Sequence, residues 1–327
     1  MKIAILHAAD ALEPPEDPVL GQLEQALASS GHETTRVCVA GDPSPVIAAL
    51  RGASPDLVFN VAESFGGKSS LESNVAALLN LLNCRYTGSS PAGLLLAGDK
   101  TLTKQMLRFH GIATPEFAML YRGALDSADA LRFPVIVKPP QEDASLGITS
   151  ASVVHDIKQL FERIDGLQRT YQQPVLVEQF IEGREFYVGV IGNAHAEALP
   201  PIELDFSGFP ADRPRIASWE AKWGDEGGGE GAEFAGTKSV IATGLDPDLV
   251  QRLQQTAVAA FHALRLRDYA RVDLRVAADG TAHVIEVNPN CYLESSAEFS
   301  QAAAASGLAY DALIARIVEL ALARYAR

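Results

Sequence analysis

The chain has 327 residues, 47% hydrophobic and 21% charged, which suits two or three folded units and excludes wholesale disorder. Its formal net charge of −14 excludes a general nucleic-acid binder, because gripping a polyanion requires Lys and Arg against the phosphates. Three scattered cysteines, Cys38, Cys84 and Cys291, form neither a disulfide framework nor a zinc cluster and suit a reducing cytoplasm; MKIAIL lacks a secretory pattern, and no apolar run reaches the about 20 residues that span a bilayer.

In chain order, Lys2 to His7 read as a strand, followed by a helix from about Val19 to Ser29 with leucines at 20, 23 and 27 and Gly31 as its stop. A strand at Glu33 to Val39, a helix at about Pro45 to Arg51 and a strand at Leu57 to Val61 continue the βαβα alternation of a small parallel unit. A helical pattern from Gly98 to His110 is closed by Gly111, and Thr114-Pro115 marks a turn. Strands FPVIVKPP, ASVV, PVLVEQF and EFYVGVIGN then surround a polar helix at about Asp156 to Gly166, an α+β pattern. Residues 219–238, WEAKWGDEGGGEGAEFAGTK, carry six glycines among many acids and are expected to form a mobile loop without an apolar packing face. The chain resumes with a helix from about Asp246 to Leu264, strands YARVDLRV and AHVIEVN around the Asp279-Gly280 turn, and a last helix from about Tyr310 to Tyr325; alanines 302–305 belong to a helix. These shifts divide the chain at about 1–93, 94–173 and 174–327.

Residues two apart on a strand share a face, so the hairpin brings Arg271, Asp273, Glu286 and Asn288 onto one surface. Two carboxylates and an amide oxygen suit Mg²⁺, although taken alone they equally suit a solvated hairpin face. Lys138 ends the apolar strand PVIVK beside a loop containing Ser and Gly, a placement that fits phosphate binding, although taken alone it better fits a lysine that snorkels from a strand end. In VLVEQFIEGREF, the backbone of Gln179 to Ile181 could pair with an adenine edge, with Glu178 and Glu185 as acceptors, although taken alone the stretch better fits an amphipathic strand with exposed glutamates.

Together these stretches resemble the ATP-grasp superfamily and, within it, the D-alanine–D-alanine ligases. DLVFNVAESFGG, RYTGSSPAGLLLAGDKTLTKQMLRFHGIATP, PVIVKPPQEDASLGIT, VLVEQFIEGREF, SWEAKW, ARVDLRV, VIEVNPN and SGLAYDALIARIVELAL occur in the family's order from about residue 55 onward. The resemblance implies a three-part fold: an N-terminal Rossmann-like parallel unit, and two α+β units that sandwich ATP. It implies an ADP-forming ligase that activates a carboxylate as an acyl phosphate and passes it to an amine, with small-molecule substrates, one or two Mg²⁺ (Mn²⁺ as a substitute) and a homodimer as an open expectation. Lys100 and Lys138 match the lysines on the ATP phosphates, Ser145 and Gly147 the phosphate lid, and Glu178, Gln179, Phe180 and Ile181 the adenine strip. Glu185 matches the ribose carboxylate, Lys222 the lysine of the mobile loop, Asp273, Glu286 and Asn288 the metal ligands, and Arg271 the residue that steadies developing charge.

The substrate side departs from the pattern. LHAADALEPPEDPVLGQL replaces the family's opening glycine-rich stretch and its glutamate, with Glu13 or Glu16 as substitutes for the amine contact. Ala62-Glu63-Ser64 stands at the family's histidine, Lys68-Ser69 at its acidic pair, Ala144 at the first lid serine and Trp223 at the loop tyrosine. Asn290-Cys291-Tyr292 and Ser296-Ala297 stand where the acceptor carboxylate is held. Glu63, Ser64, Trp223, Tyr292 and Ser296 are therefore the candidate substrate residues, and the implied substrate is an amino acid or small carboxylate other than D-alanine. An authentic D-alanine–D-alanine ligase, a non-catalytic nucleotide-binding protein and a simple kinase remain the alternatives. Cys291 is read as a residue that packs or lines the pocket, since this chemistry needs no covalent enzyme intermediate, and His7 as either a cleft residue or an edge histidine.

Overall fold

The computed structural model describes residues 1–8, 17–121, 124–126, 131–142, 145–224 and 232–326. Glu13, Glu16, Ala144 and residues 225–231 lie outside the described residues, as does the Trp223 side chain. Strands β1 (Lys2–Ala8), β2 (Glu33–Val39) and β3 (Leu57–Val61) form a parallel sheet in the order β2-β1-β3. Helices α1 (Pro18–Ser29) and α2 (Pro43–Ala53) connect them; Asp17 and Asp42 start these helices by accepting from the N–H groups of Val19 and Ser44, each ahead of a proline whose missing N–H costs nothing there. After α3 (Glu72–Leu81), residues 85–87 extend the sheet, through Val58 N–H to Arg85 O at 2.8 Å and Thr87 N–H to Val58 O at 3.0 Å.

The helix expected from Gly98 to His110 is α5 (Lys100–Phe109), and a further helix, α4 (Pro91–Gly98), precedes it. Asp99 ends α4 and caps α5, accepting from Thr101 and Leu102 N–H at 2.9 and 3.1 Å. An antiparallel sheet follows in the order β5-β4-β8-β6-β7, from β4 (Phe117–Tyr121), β5 (Ala124–Asp126), β6 (Val135–Lys138), β7 (Val153–Val154) and β8 (Val175–Gln179). Helix α6 (Ile157–Tyr171) covers it with Leu160, Ile164 and Leu167 on Val135, Val137, Val175 and Val177. That helix runs beyond the expected stop at Gly166, because Leu167 still faces the core and the left-handed Gln172 (φ 54°) ends it.

The third sheet is antiparallel, β12-β11-β9-β13-β14, with β10 (Ala196–Ala198) also on β9 (Arg184–Gly192); β11 is Ile202–Asp205, β12 Lys238–Ile241, β13 Asp268–Val276 and β14 Ala282–Pro289. Alternation splits its faces. Phe186, Val188, Val190, Ala270, Val272, Leu274 and Val284 pack on Leu253, Ala257, Phe261 and Leu264 at helix α9 (Pro247–Ala263), each large apolar side chain contributing about 1.5–3 kcal/mol by burial. The opposite face carries the charged residues. Residues 219–238 are not one loop: Ser218 caps helix α7 (Trp219–Trp223), and α8 (Ala232–Ala235) brings in the buried Glu233. The chain closes with α10 (Glu298–Ala305) and α11 (Tyr310–Tyr325), whose Ile314, Ile317 and Ala321 share a core with Leu23 and Leu27 of α1. No helix among the described residues is long and apolar enough to cross a membrane.

A buried clamp joins the first sheet to the third. Asp268 accepts from Gly88 N–H at 2.7 Å and from Arg324 at 3.0 and 2.7 Å, while Arg324 also donates to Tyr86 O at 2.8 Å. Gly88 is required there, since its φ is +89° and a Cβ would sit 2.3 Å from Asn290 Oδ1. Asp268→Ala, which leaves the Arg324 charge without its partner, is expected to cost about 3–5 kcal/mol in urea unfolding.

Candidate active site

The charged face of β9, β13 and β14 is set by register. Arg271 lies opposite Asn288, Asp273 opposite both Glu286 and Tyr187, and Arg275 opposite Glu185. A register shift follows Asp273, and it places Ile285 as well as Glu286 on the cleft, which strict alternation forbids. Arg271 grips Asp273 with two parallel bonds of 2.8 and 3.0 Å, reaches Glu298 at 3.3 Å and lies over the Tyr187 ring at 4.6 Å. Asn288 Nδ2 donates to Asp273 Oδ2 at 3.0 Å.

The facing wall is the second sheet. Lys138 at the end of β6 and Glu178 on β8 are both buried, 3.4 Å apart; Lys104 of α5 reaches the same Glu178 oxygen at 3.3 Å. Lys100, one turn earlier on α5, crosses to Glu286 at 2.8 Å and to Glu142 O at 2.5 Å. The cleft between these walls is lined by Lys138, Ser145, Glu178, Gln179, Phe180, Ile181, Glu185, Lys222, Asp273 and Glu286, with Ile136, Ile148, Ile216 and Ile285 as apolar surfaces. One cleft thus gathers residues from Ile136 to Glu286, distant in the chain, a juxtaposition that suits a planar apolar ring beside a polyanion.

Burial and the neighbouring Glu286 push the Asp273 carboxyl above the ordinary range against the pull of Arg271. Glu286 goes the other way: burial would raise it, but Lys100, Lys222 and Lys138 together hold it low. The described residues contain no group of three His, Cys, Asp or Glu fit for a metal. Two hard carboxylates and the amide of Asn288 nevertheless match the donor set of a cation that keeps several waters.

The remaining expected residues fall as follows. Ser145, left-handed at φ 63°, donates to Ala217 O at 2.7 Å, and Trp219 N–H meets Ile148 O at 2.8 Å, so the loop around Gly147 is sewn to α7. Gly147 (φ +74°) has no room for a Cβ beside Tyr171 and Pro139. Gln179 and Phe180 N–H are engaged by Glu116 O and Pro134 O, at 2.8 and 3.0 Å, so edge recognition by this strip falls to its other groups. Glu185 is paired with Arg275 at 3.0 Å. Glu63 is exposed, and Ser64 half-buried, outside the cleft lining. Tyr292 donates to Asp17 at 2.7 Å and Ser295 N–H to Gln22 at 2.8 Å, which tie residues 292–295 to α1, while Ser296 donates to Glu294 within the same loop. Burial pushes the Cys291 thiol well up, which agrees with a packing role, and His7 contacts Ala8 O at 3.2 Å and does not line the cleft.

Four participants are absent from the expected set. Arg275 donates to Ile181 O at 2.9 Å and lies 4.9 Å over the Phe180 ring, and its R-x-D-x-R spacing with Arg271 and Asp273 was the available signal. Lys104 follows Lys100 by one helical turn. Tyr187 shares the strand parity of Glu185. Glu233 accepts from Ser150 at 2.7 Å, Ser218 at 2.6 Å and Arg213, and no local signal marks it.

Burial pulls the Lys104 ammonium down to about 8 despite Glu178. The folded chain therefore releases this proton near pH 8 and the unfolded chain near about 10.4, so unfolded chains hold the extra proton in between and stability from this group rises with pH. Relative to Lys104→Met, the parent is expected to gain roughly 3 kcal/mol between pH 7 and 10.5 in urea titrations, and a pH-independent difference contradicts the assignment.

Comparison with known proteins agrees with this geometry. The family model described as D-ala D-ala ligase C-terminus matches residues 106–319. The D-alanine–D-alanine ligase of Syntrophotalea carbinolica is 31% identical over 320 residues, covering 97% of this chain and 95% of its own. Protein y4sG of Sinorhizobium fredii, described as uncharacterized, is 35% identical over 318 residues, 95% of this chain and 89% of its own. In fold, the chain matches the D-alanine–D-alanine ligase of Bacillus anthracis complexed with ATP, with a TM-score of 0.75 at 23% identity over 98% of this chain and 97% of that one. With such coverage, and with the nucleotide-type cleft in place, the chain belongs to the D-alanine–D-alanine ligase family of ATP-grasp proteins and is an ATP-dependent, ADP-forming ligase.

Proposed function

We propose that this ligase joins a small carboxylate to an amine through an acyl phosphate, and that its substrate pair is not two D-alanines. The observation that carries the chemistry is the hairpin face that groups Arg271, Asp273, Glu286 and Asn288, of which Asp273 and Glu286 line the cleft with Lys138 and Lys222. Phe180, Ile181 and the surrounding isoleucines suit the adenine, and Glu185, held by Arg275, the ribose. Lys100, Lys138 and Lys222 offset phosphate charge, so that a carboxylate oxygen can approach the γ-phosphorus in line as the bond to the β-phosphate oxygen breaks and ADP departs. The amine then attacks the acyl carbonyl, Arg271 steadies the oxyanion, and the carbonyl re-forms as inorganic phosphate leaves. Asp273, Glu286 and Asn288 would hold Mg²⁺, one or two ions, which supplies charge neutralisation at the terminal phosphates. The loop around Ser145 and Gly147, sewn to α7, shields the acyl phosphate from water.

Support for a changed substrate lies at residues 290–296. There Glu294 accepts from Gln22 at 2.8 Å and from Ser295 and Ser296, a self-satisfied acidic loop that offers poor company to an acceptor's carboxylate. The competing reading, an authentic D-alanine–D-alanine ligase, is favoured by the D-alanine–D-alanine ligases to which the chain is 31% identical. The three free thiols Cys38, Cys84 and Cys291 suit a cytoplasmic setting, and a homodimer is part of the reading.

Phosphate release from ATP and Mg²⁺ is expected to require both a carboxylate and an amine from a mixed panel; D-alanyl-D-alanine as the preferred product would reverse the substrate assignment. Asp273→Ala and Glu286→Ala are expected to abolish turnover while circular dichroism stays unchanged, and retained activity refutes the metal assignment. Arg271→Met is expected to lower kcat by about 10²–10³, as for one lost oxyanion donor.

A further inference from the structure

A second hollow, of about 370 Å³, lies away from the cleft, at the end of α9, the start of β13 and the end of α11. Its lining includes His262, Arg265, Arg267 and Arg324 and no carboxylate among the described residues. On a chain of net charge −14 this is an unusual concentration of cations. Arg324 is matched by Asp268 at 2.7 Å, but Arg265 and Arg267 form no ion pair among the described residues. Arg267 uses Nη2 on Tyr86 OH at 3.2 Å, and Arg324 uses Nε and Nη2 on Asp268 and Tyr86 O. That leaves Arg267 Nε and Arg324 Nη1 buried with no acceptor among the described residues.

A buried guanidinium N–H without an acceptor carries an uncompensated desolvation cost, and two of them beside an open hollow select a ligand with several strong acceptor oxygens. Neutral ligands would leave the two unpaired positive charges uncompensated. Carboxylates offer two oxygens in one plane, whereas the donors here come from two separate segments, the connection between α9 and β13 that carries Arg265 and Arg267, and α11 with Arg324. We infer that the hollow lined by Arg265, Arg267 and Arg324 is a binding site for a small tetrahedral oxyanion of the phosphate class, separate from the nucleotide cleft. Arg267 and Arg324 also bond to Tyr86 in the clamp, so the bound anion stabilises the junction of the first and third sheets.

Titration calorimetry with inorganic phosphate, against chloride at matched ionic strength, tests the site. Because phosphate also fits the cleft, the parent is compared with Lys138→Met, with Arg265→Asn, which suits the left-handed backbone at φ 58°, and with Arg267→Lys, which keeps the charge and removes the Nε donor. Saturable binding is expected in the parent and in Lys138→Met, weakened about tenfold in both arginine variants, whose melting in chloride stays close to the parent's. A parallel titration with glycerol phosphate distinguishes a free ion from a phosphomonoester by which binds more tightly. Absence of saturable binding, or binding lost in Lys138→Met and kept in the arginine variants, overturns the inference without touching the ligase reading.

Discussion

The pairing register of β13 with β14 is the constraint on which the site depends. Asp273 can oppose Glu286, and Arg271 can oppose Asn288, only if the hairpin closes in one alignment, because a slip of one residue sends every one of these side chains into the apolar layer against α9. That layer enforces the alignment: Val272, Leu274 and Val284 are fully buried, and exchanging them for charged groups costs far more than the turn could offset. The core thereby holds the carboxylates in position, and the register shift after Asp273 turns two consecutive residues, Ile285 and Glu286, to the same cleft.

The opposite wall is held by charge in place of shape. Glu178 shares one oxygen between Lys104 and Lys138, so the cleft lysine is anchored from behind by a buried carboxylate that is itself held by Lys104 of α5. Arg275 performs the matching task on the first wall, linking Glu185, Ile181 O and Arg215 O and thereby setting the spacing between β13, the strip after β8 and the segment that leads to α7. Buried pairs of this kind add little net stability compared with apolar packing, and what they fix is the position of cleft groups.

Much of this arrangement was legible in the chain because it rests on short periodicities. The alternation in YARVDLRV and VIEVN placed Arg271, Asp273, Glu286 and Asn288 on one face, and PVIVK placed Lys138 at a strand end. Other features rest on contacts with no local trace. Ser150 and Glu233 meet across 83 positions, and Arg324 and Asp268 across 56, so neither partner's neighbourhood reveals the other. Glycine content also misled the reading of residues 219–238, where a serine cap and one buried acid organise two short helices at the ends of the glycine-rich run. At Asp99 the signal was present and local: an aspartate after glycine both stops one helix and starts the next.

The ligase account stands on one placement, a divalent cation and nucleotide phosphates between the hairpin face and the lysine wall. Crystals grown with ADP and Mn²⁺, with anomalous scattering recorded above the manganese edge, test it most directly. The account predicts a peak within coordination distance of Asp273, Glu286 and Asn288, adjoining ADP phosphates that contact Lys138. A peak elsewhere, or ADP bound outside this cleft, would contradict it.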